Sequence, residues 1–288
     1  MFDNVCALPK RGLTHAGVFH ADEVFATALL TMLNPRIQIT RSNTVPADFD
    51  GIVYDVGGGE FDHHFGASKT RKNGVPYSSF GLLWQRLGRQ LLHEDDAKVL
   101  DETFVQPIDL ADCTGSPCVL SQCVSDFNPR GMSMPAEFDR AFWEAVEWAR
   151  GVLQRRIDAL RFARESYAYV RQCMEDGDGK VLVLDRMAPW KGALIGSGYQ
   201  YVVYPSLRGG FNVQCVPLRQ GDGSMVLPFP EQWRGLPSNE LAQVTGVEDA
   251  VFCHASGYLC VSGSLPGAIA LARTSMNGRV GHNKREEE

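Results

Sequence analysis

Four of the chain's seven histidines fall within its first 64 residues, each a few positions from a carboxylate. His15 and His20 precede Asp22-Glu23. Asp62-His63-His64 follows a lone Asp55 that closes the apolar run Gly51-Ile52-Val53-Tyr54. Imidazole nitrogens and carboxylate oxygens that converge in this way hold divalent metals, which activate water against a phosphate ester. Further on, Pro107-Ile108-Asp109-Leu110-Ala111-Asp112 offers two more acids, three apart and so on one face of a helix. Asp22, Asp55 and Asp112 contribute −3 and two divalent ions +4, leaving a site at +1 that attracts phosphate. Without metal, three clustered carboxylates repel one another and some stay protonated. A single His20 or His64 taken alone is more often a hydrogen-bonded core or surface histidine than a ligand. It is the convergence that carries the metal reading.

Such side chains meet where the carboxyl ends of parallel strands gather their loops. Residues 13 to 125 alternate short apolar runs with amphipathic helices, the pattern of an α/β domain. His15 follows a first strand. Val24, Ala28, Leu29, Met32 and Leu33 recur at helical spacing until Asn34-Pro35. Strands are predicted at 37–40 and 52–54, and a helix over 79–92 with Phe80, Leu83, Trp84 and Leu87 on one face. The Gly57-Gly58-Gly59 turn brings Asp55 and His63 into one small volume.

From Pro135 to about Glu175 the stripe Phe138, Phe142, Val146, Ala149, Leu153 predicts one or two connecting helices, and Glu175-Asp176-Gly177-Asp178-Gly179 a linker. Beyond it, 181–184, 201–204 and 212–216 read as strands, the last two joined at Arg208-Gly209-Gly210. Ser238 or Asn239 is expected to cap a helix through Leu241 and Val244. Val251-Phe252-Cys253 reads as a strand running into His254. A final helix starts at Ser264 with Pro266 in its first turn, and the tail from Gly281 to Glu288 reads as polar and frayed.

At 288 residues, 44% hydrophobic and 22% charged, the chain has room for two ordinary domains with buried cores. A net charge of −6 argues against a broad basic face for nucleic acid, though a short single strand drawn to metal ions is compatible with it. No run of eighteen apolar residues occurs, and Met1-Phe2-Asp3-Asn4-Val5 carries no targeting pattern, so a soluble, cytoplasmic protein without membrane contact is expected. Eight scattered cysteines suggest reduced, mostly buried thiols. Cys113, Cys118 and Cys123, five apart, match no common structural zinc spacing.

The segments from Thr14-His15 to Phe19-His20-Ala21-Asp22-Glu23, Tyr54-Asp55-Val56-Gly57-Gly58, Asp62-His63-His64, Ser78-Ser79-Phe80-Gly81-Leu82, Pro228 with Trp233-Arg234-Gly235-Leu236, and Phe252-Cys253-His254-Ala255-Ser256-Gly257 span nearly the full length. In this order they resemble the DHH phosphoesterase superfamily, and within it the Myg-type exonucleases (the melanocyte proliferating gene family). The resemblance implies an α/β fold with a DHH-type parallel-sheet catalytic domain at 1–134, connecting helices at 135–176 and a smaller α+β substrate-binding domain at 177–288. It further implies cleavage of single-stranded RNA or oligonucleotides from the 3′ end. Two divalent ions, Mn2+ first and Mg2+ as the alternative, about 3.5–4 Å apart, would share Asp55 and an activated water.

On the same resemblance, His15, His20, Asp22, Asp55, His63 and Asp112 are the metal ligands. Asp112 is taken over Asp109 because it lies nearer Gly115. Asp62 and His64 are the catalytic pair, shaping the ligands or contacting the phosphate, with His64 protonating the leaving oxygen. His254 and the backbone at Ser256-Gly257 would hold the terminal phosphate, aided by the helix start near Ser264. Lys191 and Arg41 are candidate phosphate partners, and Trp190 and Tyr258 candidate stacking surfaces. The sequence departs from the family pattern at Phe65, in Asp112-Cys113-Thr114-Gly115, and in the glycine-poor stretch 258–264. Those departures keep a hydrolase of a small phosphorylated metabolite and a non-catalytic nucleotide-binding protein as alternatives, and oligomeric state stays open.

Overall fold

The computed structural model describes residues 8–64, 69–131, 134–221 and 223–280. The segment Met1–Val5, Phe65 and the tail from Gly281 lie outside the described residues. The chain forms two compact units, Met1–Arg161 and Phe162–Glu288.

The first unit is built on β1 (Arg11–Thr14), α1 (Ala21–Leu33), β2 (Gln38–Arg41) and β3 (Ile52–Val53). The three strands pair in parallel in the order β2-β1-β3, so β1 is central, and its Gly12, Leu13 and Thr14 are buried. α1 follows β1 directly and is buried from Ala21 through Leu30. Its apolar residues extend round most of the helix because it packs on several neighbours at once. It ends where expected, the Asn34 N–H bonding Leu30 O at 2.8 Å ahead of Pro35.

Around this sheet lie α2 (Ser79–Leu87), α3 (Glu94–Leu100), α4 (Gln106–Thr114) and α5 (Val119–Ser125). α2 is shorter than predicted. At Gly88 the chain tightens into a 3₁₀ turn, and the Trp84 indole fills the space a side chain there would need. A π-helical turn at Asp101–Val105 links α3 to α4 and resets the helical register just before Asp109 and Asp112.

The connecting segment is a single 41-residue helix, α6 (Pro135–Glu175). Its Phe142, Val146, Ala149 and Leu153 are fully buried in the first unit's core, with Phe138 half-buried. The two units part inside this helix, after Arg161.

The second unit comprises β4 (Val181–Val183), α7 (Lys191–Leu194), β5 (Tyr201–Pro205), β6 (Phe211–Cys215), α8 (Ser238–Thr245), β7 (Ala250–Cys253), β8 (Leu259–Ser262) and α9 (Leu265–Val280). Its mixed sheet runs β4-β5-β6-β8-β7, parallel at β4–β5 and antiparallel elsewhere. Pro237, not Ser238 or Asn239, takes the cap position of α8, and Ser238 is already the first helical residue. The described cysteines are all free thiols, but only Cys215, Cys253 and Cys260 are buried. The other four are half-buried, Cys113, Cys123 and Cys173 on helices and Cys118 at the start of α5. Among the described residues no helix is long and apolar enough to cross a membrane.

Candidate metal centre

β1 delivers His15 to the carboxyl end of the sheet. The loop after it is fixed by three side chains that reach in from elsewhere. Asn43 Oδ1 accepts the Ala16 N–H at 2.9 Å, and Arg41 donates to Gly17 O at 2.7 Å. Asn128 clasps Phe19, accepting its N–H at 3.0 Å and donating to its carbonyl at 2.8 Å. α1 then starts with His20 at its cap, the His20 N–H donating to both Glu23 oxygens at 2.9 Å. This turns the side chains of Asp22 and Glu23, in the first turn of α1, toward the strand ends.

β3 delivers Asp55, which adopts φ +58 and is the one non-glycine residue with positive φ among the described residues. Gly57 and Gly58, also at positive φ, reverse the chain immediately afterwards. The Gly58 N–H donates to Asp62 Oδ2 at 2.7 Å, which pins the turn shut. His63 returns to Asp55 as expected, Nε2 lying 3.0 Å from Asp55 Oδ1. The same nitrogen is 3.2 Å from Asp112 Oδ2, on α4, and 3.6 Å from Asp22 Oδ2. On the other side, His15 Nε2 lies 2.9 Å from Glu23 Oε1 and 3.2 Å from Asp55 Oδ2. Asp55 therefore directs one oxygen to each imidazole. His15 Nδ1 faces Ala16 O at 3.3 Å and His63 Nδ1 faces Cys113 Sγ at 3.6 Å, so both rings present Nε2 inward.

The predicted ligands His15, His20, Asp22, Asp55, His63 and Asp112 thus surround one volume, and overlapping subsets of them lie close enough to share an ion. Glu23 joins this cluster and was not among the expected residues, since an acid in the first turn of a helix is ordinary without a metal. With it the carboxylates number four, so two divalent ions would neutralise the site rather than leave it positive. Asp109 is turned away, its carboxylate taking the Ser78 hydroxyl at 2.5 Å and Arg71 Nη2 at 2.8 Å.

The donor set fits a divalent cation by three marks. Asp22 Oδ2 accepts the Ser79 hydroxyl at 2.7 Å, yet Asp22 Oδ1 is buried with no hydrogen-bond partner. The carboxyl of Asp112 is pushed up to about 8 by burial and by Asp22, and Asp22 and Glu23 are also raised, burial first. His15 and His63 are held at about 11 although burial opposes it, because neighbouring carboxylates prevail. Protons therefore supply the positive charge that this cluster requires, in the place a cation would take.

The centre opens to solvent through two clefts, of about 740 Å³ beside His15, His20 and Asn43 and about 630 Å³ beside His63, Asp112 and Cys113. His64 lines both and is 52% exposed at its side chain. Asp62, proposed as a catalytic partner, has both oxygens occupied, by Gly58 N–H and by the His64 N–H and Nδ1 at 3.0 and 2.8 Å. It orients His64 and the turn.

Of the remaining candidates, Arg41 belongs to the first unit and Lys191, His254, Ser256 and Gly257 to the second. Arg41 is 3% exposed, paired with Asp139 at 2.8 Å and held over Phe142, so it braces the His15 loop and does not reach for phosphate. Lys191, on α7, is exposed beside Trp190, which is buried and offers no stacking face. His254, Ser256 and Gly257 form one turn of the second unit. The Ser256 N–H donates to His254 Nδ1 at 3.1 Å and the Gly257 N–H to His254 O at 2.8 Å, so neither amide is available to an anion. At the start of α9, Ser264 takes the Gly267 N–H at 3.1 Å, and hydrogen bonds from Ser262 and Ser264 hold the Asp249 carboxyl low. A carboxylate already stands where an anion was expected.

A parallel sheet with imidazoles and carboxylates gathered at its strand ends defines an α/β protein whose side-chain clusters could bind metal ions. The chain belongs to the MYG1 exonuclease family, whose model, described as an uncharacterised protein family (UPF0160), matches residues 12–276. It is 30% identical to the MYG1 exonuclease of Mus musculus over 96% of this chain and 87% of the relative, and 30% identical to that of Homo sapiens over 94% and 87%. The MYG1 protein of Schizosaccharomyces pombe is 28% identical over 92% of this chain and 96% of its own length.

Proposed function

We propose that this chain is a metal-dependent phosphodiesterase with a DHH-type catalytic unit, removing nucleotides from the 3′ end of single-stranded RNA or short oligonucleotides. The observation that carries the reading is the clustering of His15, Asp22, Glu23, Asp55, His63 and Asp112, with one Asp22 oxygen buried and unpartnered, beside two open clefts. The exonuclease names of the mouse and human relatives support the nucleic-acid substrate. The direction of attack rests on the motif resemblance.

His15, Glu23 and Asp55 would hold one ion and Asp22, Asp55, His63 and Asp112 a second, with His20 at the rim and Asp55 shared. When bound, Mn2+ or Mg2+ lowers the pKa of water and offsets the charge of the phosphate. Asp55 keeps the two imidazoles at a fixed separation through its separate oxygens. Asp62, bonded to the His64 Nδ1, aims the other ring nitrogen at the cleft, where it holds a proton for the leaving oxygen.

Incubation of 5′-labelled single-stranded RNA, single-stranded DNA and dinucleotides with and without Mn2+ tests this. A ladder shortening from the 3′ end, abolished by chelation, is expected. Phosphate release from small esters alone would transfer the site to a metabolite hydrolase, and absence of any product with divalent ions would remove the hydrolytic reading.

A further inference from the structure

The sheet of the second unit has two unlike faces. Strand register places Val203, Val213, Cys260 and Cys253 in one cross-strand row. All four are buried against Ala268, Leu271 and Ala272 of α9. The neighbouring row, Tyr204, Asn212, Val261 and Phe252, points to the opposite side. So does the row two residues on, with Gln214 opposite Leu259, and His254 donating its N–H to Leu259 O.

On that second face Phe252 is 41% and Tyr258 36% exposed. Their rings lie 6.2 and 4.6 Å from that of His254, making one aromatic strip. A cavity of about 540 Å³ runs beside it, with Tyr204, Arg208, Asn212, Phe252, Tyr258 and Val261 in its wall. The wall contains no carboxylate, and its single formal charge is the exposed Arg208 guanidinium, which makes no ion pair among the described residues. On a chain of net charge −6 this is a local inversion of sign.

Flat aromatic surfaces on an open sheet accept other flat π surfaces, and every nucleobase has one. Asn212 makes no side-chain hydrogen bond among the described residues. Gln214 accepts the Tyr204 hydroxyl at 2.6 Å and keeps its amide N–H groups for a partner. These amides, two residues apart on β6 and so on one face of the sheet, offer donors to base edges.

We propose that this face binds unpaired nucleic acid, with bases stacked on Tyr258 and Phe252, base edges at Asn212 and Gln214, and a phosphate at Arg208. The proposal rests on the nuclease reading in taking the bound strand to be substrate. A basic peptide is disfavoured because the wall has no acid. A second copy of the chain is the competing occupant.

The test is binding of a short fluorescent oligoadenylate and of a duplex of the same length to the full chain in EDTA, where hydrolysis does not interfere. The single strand is expected to bind more tightly than the duplex. Phe252→Ser and Tyr258→Ser should each weaken it by about tenfold. Arg208→Glu, at an exposed turn that tolerates the change, should weaken it and flatten its salt dependence. Variants with parental far-UV circular dichroism that bind as well as the parent would overturn the proposal. So would a dimer in analytical ultracentrifugation that Phe252→Ser dissociates while RNA binding persists. Hydrolysis of a thymidine nitrophenyl phosphate ester by the unmodified chain with Mn2+ reads the metal centre separately, so its failure counts against the nuclease reading and not against this face.

Discussion

Asp55 carries the heaviest electrostatic duty of any single residue. It holds a left-handed backbone conformation that aspartate tolerates better than most residues, and each of its oxygens serves a different imidazole. Asp55→Asn keeps the shape and removes the charge. Hydrolysis of a labelled oligonucleotide should fall by about a thousandfold, with circular dichroism unchanged, and parental cleavage would exclude Asp55 from a shared-ligand role. Protons set a second expectation. In the metal-free protein Asp55 is lowered to about 2, its hydrogen bonds to His15 and His63 outweighing burial, and the two imidazoles are raised to about 11. The stability these pairs supply is complete between the ordinary values of about 3.8 and 6.5, declines as pH falls through about 2, and is lost again as pH rises through about 11. A metal needs both imidazoles neutral, so cation binding releases their protons and tightens as pH rises across neutrality. Calorimetric titration of Mn2+ in buffers of different ionisation enthalpy should read at least one proton released per site. Zero release, with affinity independent of pH, would rule out imidazole ligation.

At the level of elements, the centre depends on how α2 is seated. Asp109 takes the Ser78 hydroxyl and the Gly81 N–H at the start of α2, and Arg71 ties Asp109 to Asp101. Ser79, thereby fixed, donates to Asp22. One face of α4 thus supports α2 through Asp109 and meets His63 through Asp112. A Cβ at Gly81 would stand 1.9 Å from Asp109 Oδ2, a contact with no slack in a buried carboxylate. Gly81→Ala should cost about 1–3 kcal/mol, seen as a melting point several degrees lower, and should weaken Mn2+ binding through Ser79 and Asp22. A variant with the parental melting point and Mn2+ affinity would show that α2 is seated some other way. The strand, loop and helix around His15 were legible in the sequence, because apolar spacing and the Asn34-Pro35 stop act locally. The division of labour between Asp109 and Asp112 was legible only in part. Their spacing put both on one face, but the partner that claims Asp109 is Arg71, far upstream in a loop whose position no local rule fixes. Asn128 and Asn43 escaped notice for the same reason, since they act through contacts distant in sequence.

For the whole molecule, the question is which part of the chain a cation orders. The first unit's core gathers α1, α2 and the early turns of α6, whereas the second unit has its own buried clusters on the two faces of its sheet. The periodicity of α6 runs unbroken from Pro135 to Glu175, so the sequence carries no mark at Arg161, where the units part. It did announce the change of texture after Gly179, because strands need a different repeat. All the ligands proposed for the cations belong to the first unit and come from four of its segments, the loop after β1, α1, the turn after β3 and α4. A cation binding there links those segments and stabilises the state that holds them together, by about 2.7 kcal/mol at a hundredfold excess over its dissociation constant. Hydrogen exchange with and without Mn2+ should therefore show slower exchange across 12–23, 53–64 and 106–114 and little change in the strands at 201–215 and 250–262. Protection gained chiefly in those strands would place the cation in the second unit and separate the histidine–carboxylate cluster from metal binding altogether.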